Sequence, residues 1–141
     1  MSRGLKIGLF VAVIVAIIVF GGWYIVMRII GITDALIVPV DRQLAALKAG
    51  DMLAAYVETS QAFQQATPMD AFVTFVDQFP ALKDAAEHSF PERSISNGEG
   101  RLRGTLTSST GGVTPIVYQL VKENDVWKII YINVNPTDDS E

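Results

Sequence analysis

The side chains best suited to chemistry in this chain are one histidine, two tyrosines and a pair of arginines. His88 is the only histidine, and its sequence neighbours are Glu87 and Ser89. A catalytic histidine needs an acid or base partner in a pocket, and at the start of a strand His88 is more simply a surface residue. One histidine and no cysteine exclude a multi-histidine or thiolate metal cage.

The arginine pair, Arg101 and Arg103, lies on one face of a predicted strand, together with Thr105. Two guanidinium groups on one face are able to bind an anion, although pairing with carboxylates across the sheet is the simpler interpretation. The carboxylates of residues 138–141 lack a calcium-loop pattern. Nucleotide-binding glycine loops, nucleophile elbows and kinase signatures are absent from the sequence. We therefore assign no catalytic residue, cofactor or metal from motifs.

The N-terminal segment predicts where the protein resides. Residues 7–27 carry no charge over twenty-one positions, and about 20 apolar residues span a bilayer. Arg3 and Lys6 precede this run, and a short basic flank stays cytoplasmic. A cleaved signal peptide is the competing interpretation, but its apolar core is only about 7–15 residues long. We expect residues 1–32 to be a cytoplasmic stub and single-pass anchor in the bacterial inner membrane, with a periplasmic C-terminal domain.

The anchor also carries a row of small residues: Gly8, Ala12 and Ala16, four positions apart. Such rows let helices pack closely in lipid. The functional interpretation is a packing surface for another membrane-protein subunit or a second copy of the chain. The alternative is chance within an alanine- and glycine-rich span.

Composition restricts the partners of the remaining chain. About a hundred of the 141 residues follow the anchor, enough for one domain. All fifteen acidic residues but only eight basic ones lie there, a net charge of −7. Because nucleic acids require a basic surface, this charge argues against binding them. The lack of cysteine removes disulfides and thiol nucleophiles.

Periodicity predicts an α+β domain over residues 41–134, after a connector at 33–40 and before a flexible acidic tail at 135–141. A kink or a break in helical structure is expected at Pro39. Gly50 should end the first helix, Asp51 should cap the second, and Thr67 begins a capping-box pattern for the third. The architecture is then three helices packed on a curved, four-stranded antiparallel sheet. The helices cover about 41–49, 52–64 and 67–79, and the strands lie near Glu87–Ile95, Gly100–Ser108, Val113–Glu123 and Val126–Val134.

Two apolar patterns predict burial. A stripe at helical spacing in the third helix should face the core; it consists of Phe72, Phe75, Val76 and Phe79. The last two strands are apolar on both faces, which is typical of strands covered by helices on one side and by a partner or pocket on the other. Val117 and Tyr131 would then lie on a partner surface.

The chain resembles the nuclear transport factor 2-like superfamily of cone-shaped domains, also called SnoaL-like or cystatin-like. Residues 43–63 (QLAALKAGDMLAAYVETSQAF) resemble its opening pair of helices, and residues 126–134 (VWKIIYINV) resemble its closing strand. The resemblance covers residues 41–134 and is greatest to uncharacterised, short, membrane-anchored bacterial proteins of this fold. It implies a cone in which enzymes place Asp, His or Tyr, so Tyr56 and Tyr118 become weak pocket candidates.

The superfamily includes isomerases, dehydratases, ligand binders and assembly domains, so its fold alone does not choose a function. Our leading hypothesis is a non-catalytic interaction domain, an accessory or assembly subunit of an inner-membrane complex. The alternative is a ligand-binding or isomerase/dehydratase-type activity in the cone pocket. A third is a lone envelope protein with a homodimeric sheet interface. A filled apolar cone would favour the first hypothesis, and several convergent polar groups would favour the second.

Overall fold

The computed structural model describes residues 11–24 and 34–137. They fall into two compact units, divided between Asp34 and Ala35. Residues 11–24 form a helix, α1, whose apolar side chains are exposed all around it. Within the two described ranges, no helix combines the length and apolar character needed to cross a membrane. Residues 7–10 and 25–27 of the expected span lie outside the described residues.

The second unit runs from helices to strands, as the sequence predicts. Its described residues, 35–137, contain four α-helices rather than three, because the expected second helix is interrupted. They are followed by a short 3-10 helix at Pro80–Leu82. The α-helices are α2 (Ile37–Ala49), α3 (Met52–Val57), α4 (Gln61–Ala66) and α5 (Met69–Gln78).

The predicted junction between the first two of these helices is confirmed. Gly50 adopts a left-handed conformation (φ 78°) at the end of α2, which glycine reaches without a Cβ penalty. The Asp51 carboxylate then accepts a hydrogen bond of 3.0 Å from the Ala54 amide. This bond satisfies one of the unpaired amides of the first turn of α3.

The interruption between α3 and α4 arises from pairing with the sheet. The Ser60 amide donates to the Ile129 carbonyl at 2.7 Å, and the Ile129 amide donates to the Glu58 carbonyl at 3.0 Å. Residues 58–60 therefore add a short parallel bridge to the edge of the last strand. Helical periodicity continues through this segment, so the sequence pattern did not reveal the break.

Two further helix boundaries differ from expectation. No break occurs at Pro39, because proline in the first turn of α2 removes an amide that has no intrahelical partner there. The capping-box prediction at Thr67 is also wrong. Pro68 is the N-cap of α5, and no side chain caps that helix.

Four strands form one antiparallel meander in the order β1-β2-β3-β4, which confirms the predicted sheet. Three register shifts interrupt its pairing. Two lie in β1, between Ala85 and Glu87 and between Ser89 and Glu92, and the third leaves Ile130 of β4 without a partner on β3. Such bulges increase local twist and curvature. The strands are β1 (Ala85–Ser96), β2 (Glu99–Ser108), β3 (Val113–Glu123) and β4 (Val126–Val134).

The helices cover one face of the sheet, and apolar side chains fill the space between the two layers. Leu102 and Leu106 are buried there, on the opposite face from Arg101 and Arg103, as the alternation in β2 predicts. The largest fully buried members of this core include Phe72, Leu36, Leu47, Leu82, Leu102, Leu106, Ile116, Tyr118, Leu120 and Ile129.

Leu36 and Val40, which lie in the segment expected to be a connector (33–40), belong to this core. The compact unit begins at Ala35. Leu36 and Val40 are fully buried. The Leu36 side chain occupies the space over Gly100, where an added Cβ would lie 2.3 Å from a Leu36 methyl group. Leu36 therefore fills the space between the N-terminus of α2 and the start of β2.

Candidate functional site

Tyr56, one of the two tyrosine candidates, holds the helices together. Its hydroxyl donates to the Thr67 carbonyl at 2.7 Å, beyond the end of α4. Its ring packs against Phe72, with 5.3 Å between the ring centroids. These contacts give Tyr56 a structural role at the junction of α3, α4 and α5.

Tyr118, the second candidate, lies inside the cone. It is fully buried on the helix-facing side of β3 and makes an edge-to-face contact with Phe90 at 5.9 Å. Its hydroxyl has no hydrogen-bond partner among the described residues. Burial raises the pKa of the Tyr118 phenol well above its ordinary value, because the apolar surroundings disfavour the phenolate. The phenol therefore stays neutral and cannot serve as a base.

A second polar group, Gln43 of α2, lies in the same apolar interior. Its amide nitrogen donates to the Ala55 carbonyl at 3.3 Å. Its amide oxygen, like the Tyr118 hydroxyl, has no partner among residues 11–24 and 34–137. An unpaired buried polar atom costs about 1–3 kcal/mol. No sequence pattern indicated that Gln43 is buried, because glutamine on an amphipathic helix ordinarily faces solvent.

His88 has an acidic partner that sequence proximity did not indicate. Its Nε2 contacts an Asp41 carboxylate oxygen at 2.5 Å and thereby links β1 to α2. The two side chains are 32% and 50% exposed. Both therefore lie at the surface, where a histidine–carboxylate pair lacks the enclosed pocket that acid–base catalysis uses.

Arg101 and Arg103 line a cleft on the sheet face that points away from the helices. The cleft has a volume of about 350 Å³. Glu92 stands opposite Arg103 in the β1–β2 register, which provides the cross-strand carboxylate that the sequence suggested. The other lining residues are Pro91, Arg93 and Ser94.

An apolar cleft lies beside the edge of β4. It has a volume of about 230 Å³, and Phe63, Thr67, Phe75, Tyr131 and Ile132 line it. We call it the aromatic cleft. Phe75 was expected in the core with its stripe, but it is only partly buried, and Tyr131 is 46% exposed. The stripe alone could not distinguish core residues from the wall of a cleft.

The outer face of the last two strands is less exposed than the sequence suggested. Val117 is only 3% exposed although it lies outside the core cluster. Its neighbours in the register are Arg103 on β2 and Asn133 on β4. Tyr131 therefore remains available to a partner, whereas Val117 does not.

A third cleft, of about 410 Å³, lies at the surface between α3 and the β3–β4 turn. Its charged groups already have partners. Both Glu123 carboxylate oxygens lie 3.1 Å from the Gln61 amide, and the Lys128 ammonium donates to the Val57 carbonyl at 3.0 Å. Across the described residues, no three His, Cys, Asp or Glu side chains are grouped to hold a metal ion.

The small-residue row is described only in part. Ala12 and Ala16 lie one turn apart on α1, and both are exposed. Gly8 lies outside the described residues.

Of the four pocket candidates, the structure brings together only Arg101 and Arg103, which lie on the outer face of the sheet. Tyr56 and Tyr118 lie on the helix side, so the sheet separates them from the two arginines.

Comparison with solved structures identifies the fold. An NTF-2 like protein of unknown function from Shewanella oneidensis MR-1 superimposes with a TM-score of 0.54 at 17% identity, over 72% of this chain and 97% of that one. An NTF2-like protein of unknown function from Burkholderia pseudomallei K96243 gives a TM-score of 0.43 at 14% identity, over 71% and 88%. At 17% identity the first of these establishes the fold alone, and no curated protein matches the chain.

The residues that match a sequence family coincide almost completely with the residues of the compact unit. The family described as domain of unknown function DUF4864 matches residues 34–141, and the compact unit starts at Ala35. The chain belongs to the DUF4864 family, and its domain has the nuclear transport factor 2-like fold.

Proposed function

We propose that this protein is a membrane-anchored, non-catalytic interaction domain, an accessory or assembly subunit of a bacterial inner-membrane complex, with its C-terminal domain in the periplasm. The main support for the proposal is the packing of side chains inside the cone. Side chains from α2, α5 and all four strands fill it with one apolar core. A filled cone leaves the surface as the place where the domain meets other molecules.

The anchor in this proposal rests on residues 7–27 and their basic flank. The described part, α1, has no charged residue and exposes apolar side chains all around it. A helix that is apolar on every side requires an apolar environment, either a protein interior or a bilayer. Together with Arg3 and Lys6 upstream, this pattern supports an anchor whose N-terminus is cytoplasmic.

The aromatic cleft is the surface that we assign to the partner. Aromatic side chains are enriched where protein interfaces bind most strongly. Tyr131 stands half-exposed beside Phe63 and Phe75, so a partner side chain would be buried against three rings. In the anchor, Ala12 and Ala16 supply a second contact to a membrane helix.

Tyr131→Lys should dissociate the full-length protein from its assembly in native gels run in mild detergent, because it places an ammonium group in an apolar interface. Val113→Lys is the matched control, since Val113 is 63% exposed on β3 and lies outside the aromatic cleft. Equal migration of the two variants would remove the cleft from the proposal. If the unaltered protein migrates as a monomer in several mild detergents, the subunit function fails as a whole.

A second candidate function, ligand binding or isomerase/dehydratase chemistry in the cone, is favoured by the two unpaired polar groups. The Tyr118 hydroxyl would donate a hydrogen bond to a small polar ligand or accept one from it, and the Gln43 amide oxygen would accept one. Tyr118→Phe separates the two functions, because it removes the hydroxyl and leaves the ring in place.

With the cone filled and no ligand bound, we expect Tyr118→Phe to raise the free energy of unfolding by about 1 kcal/mol, since an unpaired buried hydroxyl is lost. Tyr56→Phe is the control and should lower it by about 1 kcal/mol, since its hydroxyl is bonded to Thr67. Chemical denaturation followed by the fluorescence of the buried Trp127 measures both. A loss of stability in Tyr118→Phe would show that the hydroxyl has a partner and would favour the ligand-binding function.

A further inference from the structure

A further cleft, of about 240 Å³, lies where the chain enters the compact unit. Ala35, the first residue of that unit, lines it together with Val38 and Val126. We call it the entry cleft. The other residues that line it are Pro39, Arg42, Asp125 and Trp127. The entry cleft therefore lies between the first turn of α2 and the turn that joins β3 to β4.

The entry cleft presents apolar side chains to its surroundings. Val38 and Val126 are 45% and 49% exposed. Val57 is 52% exposed and lines the cleft that adjoins the same β3–β4 turn at Asn124. A single exposed valine is ordinary on a protein surface. Three of them around one turn form a patch of the kind that marks contact with an apolar partner.

An aromatic ring and two cations accompany the valines. Trp127 lines the entry cleft, and the Lys122 ammonium lies 5.3 Å from the centroid of its ring. Arg42 supplies the second cation, and among the described residues that line the cleft Asp125 carries the only carboxylate. Tryptophan is enriched where lipid meets water. Lysine and arginine lay their aliphatic stems on apolar surface and extend their charged ends into the polar layer. This combination matches the surface of a bilayer.

The sequence limits the distance between the proposed anchor and the entry cleft. Eight residues lead from Met27, the end of the uncharged run, to Ala35. Fully extended, they reach about 28 Å. A bilayer that holds the anchor is therefore always within reach of the entry cleft, at an effective concentration that a free partner lacks.

The charge of the domain determines which lipids should matter. After the anchor, acidic residues outnumber basic ones by fifteen to eight. Anionic headgroups therefore repel the domain as a whole. Contact with the bilayer would come from the apolar side chains instead, so it should not require anionic lipid.

We propose that the domain docks on the membrane surface through the entry cleft, with Val38 and Val126 buried among the lipid headgroups. This inference rests on the membrane anchor of the proposed function. Tyr131, in the aromatic cleft, lies about 16 Å further along β4 than Val126. The membrane and a protein partner therefore use different surfaces of the domain.

The absence of cysteine from the chain permits a test with single fluorescent probes. Val126→Cys places a probe at the entry cleft. Val113→Cys is the matched control, since Val113 is also exposed but begins β3 at the end remote from the β3–β4 turn. Both full-length variants are reconstituted into phosphatidylcholine vesicles that contain nitroxide-labelled lipid. Flotation of the vesicles then shows whether the protein is retained.

The nitroxide lipid should quench most of the probe at position 126 and little of the probe at position 113, as measured by fluorescence lifetimes. Adding Val38→Asp to Val126→Cys should shift the probe towards the unquenched population by about tenfold, because it places a carboxylate in the apolar contact. Adding Val113→Asp instead should leave the quenching unchanged.

The possible failures are distinguishable. If the protein does not float with the vesicles, the anchor of the proposed function fails, and docking fails with it. If the protein floats but the two probes are quenched equally, docking through the entry cleft is overturned and the anchor stands. Quenching at position 126 that Val38→Asp leaves unchanged would also overturn it, since the valines would then not hold the domain on the bilayer.

Discussion

Phe72→Ala should lower the free energy of unfolding by about 3–5 kcal/mol, as truncations of fully buried phenylalanines do. Phe72 is fully buried and joins two neighbouring rings, with centroid distances of 5.3 Å to Tyr56 and 6.1 Å to Phe63. The cavity would open at the junction of α3, α4 and α5. Equilibrium denaturation of the full-length protein in mild detergent measures the loss.

The control for this substitution lies one turn away on the same helix. Phe75 is partly buried and lines the aromatic cleft, so Phe75→Ala removes less packing and should cost less than half as much. It should instead weaken association in the assay used for Tyr131→Lys. Equal losses of stability at the two positions would mean that the cleft is closed and that Phe75 belongs to the core.

Gly104→Ala should cost about 3 kcal/mol or more, because the new methyl group has no space that side-chain movement can provide. An added Cβ would lie 1.8 Å from the Ser89 carbonyl oxygen and 2.8 Å from the Phe90 Cα. Both are backbone atoms of the β1 bulge, which passes directly over Gly104. The strand would have to move, and with it Phe90 and its contact with Tyr118.

Gly112→Ala is the control for this second substitution, since its Cβ would meet only the Ser108 hydroxyl, at 3.2 Å. It should change stability by about 0.5 kcal/mol or less. Amide hydrogen exchange adds a local readout, because Gly104→Ala should speed exchange in β1 before it affects β3. Uniform exchange in both strands would contradict a displacement confined to the bulge.

The strands were readable from the sequence because alternation and turn residues act over short distances. All four predicted strands agree closely with the structure, and Gly50 and Asp51 mark a helix junction through local backbone chemistry. The break at residues 58–60 was not readable, because its cause is a pair of hydrogen bonds to Ile129, about seventy residues away.

The candidate sites were less predictable for the same reason. The pair of arginines on one face followed from period-two alternation, and their cleft follows from the β1 register. Asp41 beside His88, by contrast, is a contact between a helix and a strand that lie 47 residues apart. Gln43 and Phe75 show the converse problem: helical spacing assigns a face, but the depth of burial on that face depends on what packs against it.

The position of Leu36 affects how the protein can be divided and recombined. A chimera that joined a foreign leader to the chain at Asp41 would inherit every strand and nearly every helix. It would nevertheless lack Leu36 and Val40, both fully buried, and a hole lined by apolar atoms would remain over Gly100. Unfilled volume of this kind costs about 24 cal/mol per Å³. Gene fusions joined at Ala35, where the compact unit begins, should therefore fold where fusions joined at Asp41 do not.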